Sequence, residues 1–263
     1  MQPQKTLTAG QALVRLLANY GVDTVFGIPG VHTVELYRGL PGSRIRHVTP
    51  RHEQGAGFMA DGYARVTGKP GVCFIITGPG MTNILTAMAQ AYADSIPMLV
   101  ISSVNERARL AHGNGYLHEL PNQRNLVGNV CAFSHTLMSA EELPAVLARA
   151  FAVFDSERPR PVHIELPLDV ITAPAEHLAL RPRTVASRPA PALAPLREAA
   201  ARLRNAKKPL LLLGGGCVEA AAEARALAAA LDAPTALTIN AKGLLPADHP
   251  LLLGSNQSCV PVR

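Results

Sequence analysis

The stretch Val72-Cys73-Phe74-Ile75-Ile76-Thr77-Gly78-Pro79-Gly80-Met81-Thr82-Asn83 joins a short, almost wholly apolar run to a glycine-proline turn and then to a segment of helical period. A run with no polar face suits a strand covered on both sides, as in a parallel sheet flanked by helices. Its turn falls at the carboxyl end of the strand, which is where open α/β sheets bind their ligands. Taken alone, the turn is equally well an ordinary tight connection from strand to helix.

The same pattern recurs on either side. Thr24 to Ile28 reads as a strand that ends in Phe26-Gly27-Ile28-Pro29-Gly30, and Ile45 to Val48 as another that leads into Arg51-His52-Glu53-Gln54-Gly55. Met98 to Ser102 and Val162 to Leu166 continue the strands, with helices expected over Thr33 to Gly39, Glu53 to Val66, Met81 to Ala93 and Glu141 to Asp155. The first helix begins at Thr8, whose hydroxyl can cap the first turn while Gln11 reaches back. It carries Ala12, Leu13, Leu16, Leu17 and Tyr20 on one face and stops at Gly21. Short apolar runs alternating with helical segments predict an α/β class: a parallel sheet flanked by helices.

From Thr172 to Pro195 the chain is rich in Pro, Ala and Arg with no apolar period, so the expected organisation is a domain over 1–171, a linker over 172–195 and a second domain from 196. The second shows a helix at Leu196 to Asn205, a strand at Pro209 to Leu213, the run Gly214-Gly215-Gly216, a helix at Glu219 to Leu231 and a strand at Thr235 to Ile239. Two strands are fewer than a typical sheet holds, so an incomplete domain, and a chain that is part of a longer protein, are expected.

Composition excludes several classes. With 263 residues, 48% hydrophobic and 17% charged, the chain can bury a large core and is not a disordered tail. The net charge of +6 comes from scattered residues, and the absence of tryptophan leaves few rings to stack on bases, so no nucleic-acid partner is expected. Cys73, Cys131, Cys217 and Cys259 lie far apart and form no CxxC pair, which argues against a zinc knuckle or disulfide scaffold and suits a reducing cytoplasm. No segment has the length and apolarity of a signal or a membrane span, so no membrane partner is expected.

Candidate chemistry gathers at the strand ends. Glu53 stands at a strand-to-helix junction among small residues; a carboxylate there also interacts favourably with a helix N-terminus, which by itself could explain it. His52-Glu53 lacks the second histidine of a zinc-protease motif, and Gly62 to Lys69 has the wrong spacing for a phosphate loop, with Pro70 where a magnesium-binding hydroxyl would be needed. The run Gly214 to Gly216 lacks the third glycine of a dinucleotide fingerprint, so it points only weakly to nucleotide or flavin binding. His118, in Asn114-Gly-Tyr-Leu-His-Glu-Leu120, is a lone loop histidine of the kind usually solvated.

Jointly and in order, Gly27-Ile-Pro-Gly30, Arg51-His-Glu-Gln-Gly55, Ala60-Asp-Gly-Tyr-Ala-Arg65, Thr67-Gly-Lys-Pro-Gly71, Gly78-Pro-Gly-Met-Thr-Asn83 and Ala93-Asp-Ser-Ile-Pro97 resemble the pyrimidine-binding domain of thiamine-diphosphate (ThDP) enzymes, in the acetolactate synthase-like and 2-oxo acid decarboxylase branch. The region after Pro189 resembles the start of that family's central, Rossmann-like domain.

The resemblance implies that Glu53 hydrogen-bonds N1′ of the aminopyrimidine and drives deprotonation of the thiazolium at C2, in a dry site that raises its pKa. It implies cofactor contacts from Gly27, Pro29, Glu53, Pro79 and Asn83, Mg²⁺ ligands in a further C-terminal domain, and, on weaker grounds, FAD. A homodimer or homotetramer with the cofactor between subunits is implied, together with a small 2-oxo acid substrate. At Leu117-His118-Glu119 the sequence departs from the Phe-Gln-Glu usual in acetolactate synthases. If the loop corresponds, His118 can donate a proton to the intermediate, which favours release of an aldehyde over addition to a second 2-oxo acid. A decarboxylase of a guanidino-bearing 2-oxo acid is the named alternative, and a catalytically silent nucleotide-binding α/β protein is the alternative from another class.

Overall fold

The computed structural model describes residues 6–183 and 188–255. Cys259 and residues 184–187 of the expected linker lie outside them. Two compact units divide between Arg188 and Pro189.

In the first unit, α1 (Ala9–Asn19) opens on the expected capping box. Thr8 Oγ1 accepts the Gln11 N–H at 3.3 Å, and Gln11 Oε1 accepts the Thr8 N–H at 3.4 Å. The chain then runs through β1 (Thr24–Gly27), a 3₁₀ turn at Val31–Thr33, α2 (Val34–Arg38), β2 (Arg46–Val48), α3 (Glu53–Thr67), β3 (Gly71–Ile75), α4 (Pro79–Asp94) and β4 (Met98–Val104). It continues through α5 (Gln123–Gly128), β5 (Phe133–Thr136), α6 (Leu143–Ser156), β6 (Val162–Pro167) and α7 (Leu168–Ile171). The six strands form one parallel sheet in the order β2-β1-β3-β4-β6-β5.

Alternation along the central strands builds two cores. Phe74, Leu99, Ile101 and Ile164 pack with α1 and α6 on one face, while Cys73, Ile75, Met98 and Val100 pack with α3 and α4 on the other. Strand β4 runs to Val104, beyond the expected Ser102, because Ser103 and Val104 pair with Leu166 and Pro167 of β6. From β1 the chain crosses to β2 on one side and returns to β3 on the other. The ends of β1 and β3 therefore flank the switch point of the sheet, with Gly27 opposite Phe74.

The second unit holds α8 (Leu193–Asn205), β7 (Leu211–Leu213), α9 (Ala221–Leu231), β8 (Thr235–Leu237) and β9 (Leu252–Ser255), its strands parallel in the order β7-β8-β9. This is one strand more than the sequence suggests. Residues Gly215–Ala220 form a 3₁₀ turn, so the glycine run opens onto that turn and not onto a helix N-terminus. Among the described residues no helix is long and apolar enough to cross a membrane.

Candidate active site

The switch point brings most of the expected residues together. Gly78 has φ 69°, and a Cβ there would stand 2.5 Å from the carbonyl oxygen of His118. Only glycine gives both that backbone and room for the loop above it. A Cβ on Gly80 would stand 2.7 Å from Ile76 Cγ2 and 3.6 Å from Glu53 Cγ, so the turn lies directly against Glu53. Pro79 takes the first position of α4, and one turn later Asn83 donates from Nδ2 to Glu53 Oε2 at 2.9 Å. On the neighbouring strand end, a Cβ on Gly27 would meet the Phe74 carbonyl oxygen at 2.2 Å, and the Gly27 carbonyl accepts from His47 Nε2 at 2.8 Å. Pro29 follows, exposed.

Glu53 is the first residue of α3, yet it does not cap the helix. That task falls to His52, whose Nδ1 accepts the Gln54 N–H at 3.1 Å. The Glu53 carboxylate, half-buried, is thus free for other work and steered by Asn83.

His118 lies in the connection between β4 and α5 with φ 57°, in the left-handed region that side chains other than glycine seldom adopt. It is not a solvated loop histidine: it is half-buried, and its Nδ1 is enclosed without a hydrogen-bond partner. The loop borders a cavity of about 410 Å³ lined by Ala111, His112, Tyr116, His118, Glu119 and Pro121, among others. Glu119 braces the loop by accepting the N–H groups of Gly113 at 2.7 Å and Tyr116 at 3.1 Å. Desolvation acts to raise the Glu119 carboxyl; these amides outweigh it and hold the group below its ordinary value.

The sequence reading misses what supports this site from below. Gln123, buried at the start of α5, accepts from Thr77 Oγ1 at 2.8 Å and from the Gly78 N–H at 3.0 Å. Its Nε2 donates to Glu165 Oε2 at 2.9 Å, the Ser103 carbonyl at 3.0 Å and Ser102 Oγ at 3.2 Å. Glu165 in turn accepts from Thr136 Oγ1 at 2.6 Å, and burial raises its carboxyl. His163 is hydrogen-bonded to Ser102 Oγ at 2.8 Å and Ser134 Oγ at 2.7 Å, and burial pushes its imidazole down to about 3. One amide side chain therefore fixes the Gly78 turn to two strands, β4 and β6. The available signal was the alternation of His163 and Glu165 with Val162, Ile164 and Leu166, since polar residues at every second position of a strand share one face.

Among the described residues no group of three His, Cys, Asp or Glu side chains could hold a metal ion. The site offers one carboxylate relieved of capping, an Asn amide beside it, and the N-terminus of α4 under a glycine turn.

Family comparisons settle the frame. The N-terminal TPP binding domain of thiamine pyrophosphate enzymes matches residues 7–126, and the central domain of the same enzymes matches residues 196–259. The chain belongs to the thiamine pyrophosphate enzymes. It is 62% identical over 266 residues to a probable 2-ketoarginine decarboxylase of Pseudomonas aeruginosa, covering 99% of this chain and 47% of that protein. It is 40% identical over 254 residues to the acetolactate synthase isozyme 1 large subunit of Escherichia coli, covering 95% and 44%. With the chloroplastic acetolactate synthase of Arabidopsis thaliana it shares 34% over 258 residues, covering 96% and 38%. The chain thus spans about half the length of the curated relatives it matches or less. The region matched to the N-terminal TPP binding domain contains Gly27, Pro29, Glu53, Pro79, Asn83, His118 and Gln123.

Proposed function

We propose that the first unit forms the activating wall of a ThDP site, and that the enzyme decarboxylates a 2-oxo acid bearing a guanidino group to give an aldehyde. The observation that carries this reading is the Glu53 carboxylate, free of helix capping, held by Asn83 and set against the Gly78-Pro79-Gly80 turn at the switch point of the sheet. When bound, the cofactor supplies the electron sink for loss of CO₂. Glu53 holds a proton at the aminopyrimidine N1′, and Asn83 keeps that carboxylate aimed. Backbone at Gly27 and Pro29 and the exposed Pro79 line the ring. His118, brought over Gly78, gives its N–H proton to the reacting carbon. A substrate with a guanidino group is favoured by the 62% identity to the probable 2-ketoarginine decarboxylase.

The 40% identity to an acetolactate synthase keeps carboligation as the second reading. In both, Mg²⁺ would be needed to hold the diphosphate, and its ligands would come from residues other than those described. FAD, to which the glycine run points only weakly, is not carried into the proposal. Assembly as a homodimer or homotetramer is supported by the exposed apolar side chains Phe58 and Met59 on α3, on the same helix as Glu53. A cytoplasmic location is supported by the free cysteines at 73, 131 and 217.

Product analysis tests the reading. The protein with ThDP, Mg²⁺ and 5-guanidino-2-oxopentanoate is expected to release CO₂ and 4-guanidinobutanal in equal amounts, and to turn over pyruvate poorly. An acetohydroxy acid formed from pyruvate as the main product would contradict it.

A further inference from the structure

His32 has no place in the chemistry described so far. It sits in the 3₁₀ turn between β1 and α2, 5% exposed, and its Nδ1 is buried without a hydrogen-bond partner. Its ring lies face-on to that of His118, with centroids 5.8 Å apart and planes inclined by 29°. The His118 Nδ1 is likewise buried and unpartnered. Buried polar groups are ordinarily hydrogen-bonded, so two orphaned imidazole nitrogens in one stacked pair beside the Gly78 turn mark a place where polarity is kept for a purpose other than stability. The backbone of His118 at φ 57° points the same way, since such conformations concentrate at functional sites.

We propose that His32 is a positioning residue for His118: its ring, stacked on that of His118, holds the proton donor over the Gly78 turn. The inference rests on the role proposed for His118 above. Two imidazolium rings at this distance repel, so a charge on His118 disfavours one on His32. Burial, and then the neighbouring His118, hold His32 below its ordinary value. The other charged groups on the packed elements are engaged elsewhere. Glu35 of α2 binds Thr8 and Arg38, and Glu119 of the His118 loop binds backbone amides. The turn also packs on β4, whose carboxyl end carries the uncharged Ser103 and Val104. In the reaction, the N–H bond of His118 breaks as the C–H bond of the aldehyde forms, and solvent returns a proton to the ring.

Histidine titrations followed by NMR read the pair without reference to catalysis. In the His118→Gln variant, in which the loop stays in place but the second imidazole is gone, the midpoint of His32 is expected to rise by about one pH unit. A midpoint equal to that of the wild type overturns the proposal, whatever the enzyme's products prove to be. The second measurement uses His32→Phe, which keeps a stacking ring of similar size. Aldehyde formation is expected to fall roughly tenfold in kcat with little change in KM, with a displaced pH profile and the thermal midpoint retained. A wild-type pH profile in that variant also overturns it.

Discussion

An imidazole enclosed as His163 is, between two serine hydroxyls and fully buried, accepts a proton only at a heavy desolvation cost. In the fold it titrates near 3, against an ordinary value of 6.5, so in acid the unfolded chain takes the proton first. The stability tied to neutral His163 is present above about pH 6.5 and is lost as pH falls from 6.5 through 3, with a slope of at most about 1.4 kcal/mol per pH unit. His163→Gln keeps hydrogen-bonding capacity toward both serines and does not titrate. Urea midpoints taken between pH 7 and pH 4 are expected to fall less steeply with acid in that variant than in the wild type, and equal slopes would contradict the assignment. At this scale the sequence was informative where residue type and chain position coincide. Glu53, Asn83 and the glycines at 78 and 80 could be picked out because each stands at a strand-to-helix junction. Gln123 could not, because its partners Thr77, Ser102 and Glu165 are brought to it only by the order of the strands.

Helix α3 shows both what an element displays in its sequence and what it withholds. Its inner positions, Ala56, Gly57, Ala60 and Ala64, are buried against the sheet and α4, with a Cβ on Gly57 reaching 2.5 Å from Ala87 Cβ. Its outer side carries Phe58, Met59 and Val66, which are 42, 45 and 87% exposed, around Gly62, where an added Cβ would meet nothing within 4 Å. Exposed apolar side chains beside a bare glycine suit close approach of another helix, and a second copy of the chain is the expected occupant. The double variant Phe58→Asp/Met59→Asp is expected to lower the mass found by light scattering to that of a monomer while leaving the helical circular dichroism intact. A monomeric wild type, or an unaltered oligomer in the variant, would contradict this. Elements with a clear apolar period, such as α1 and α6, are legible in the sequence. Strand β5 is not, because Phe133-Ser134-His135-Thr136 lies at the sheet edge and spends Ser134, His135 and Thr136 on His163, Glu142 and Glu165. Nothing apolar alternates there.

For the first unit as a whole, strand order converts local turns into a site. Because β2 lies on one side of β1 and β3 on the other, the turns that follow β1 and β3 lead away to opposite faces of the sheet and leave a crevice between them. Glu53 enters this crevice from α3, Asn83 from α4 and His118 from the loop after β4. These contributions are far apart in the chain, so the sequence could name the pieces while the topology had to assemble them. The most direct test of the assembly is the rate at which bound ThDP exchanges its C2 proton for deuterium, measured in the holoenzyme and in Glu53→Gln. The amide has nearly the shape of the carboxylate but cannot hold and return the N1′ proton. Exchange is therefore expected to slow by roughly 10² to 10⁴-fold with the cofactor still bound. Exchange as fast as in the wild type would show that Glu53 does not activate the cofactor.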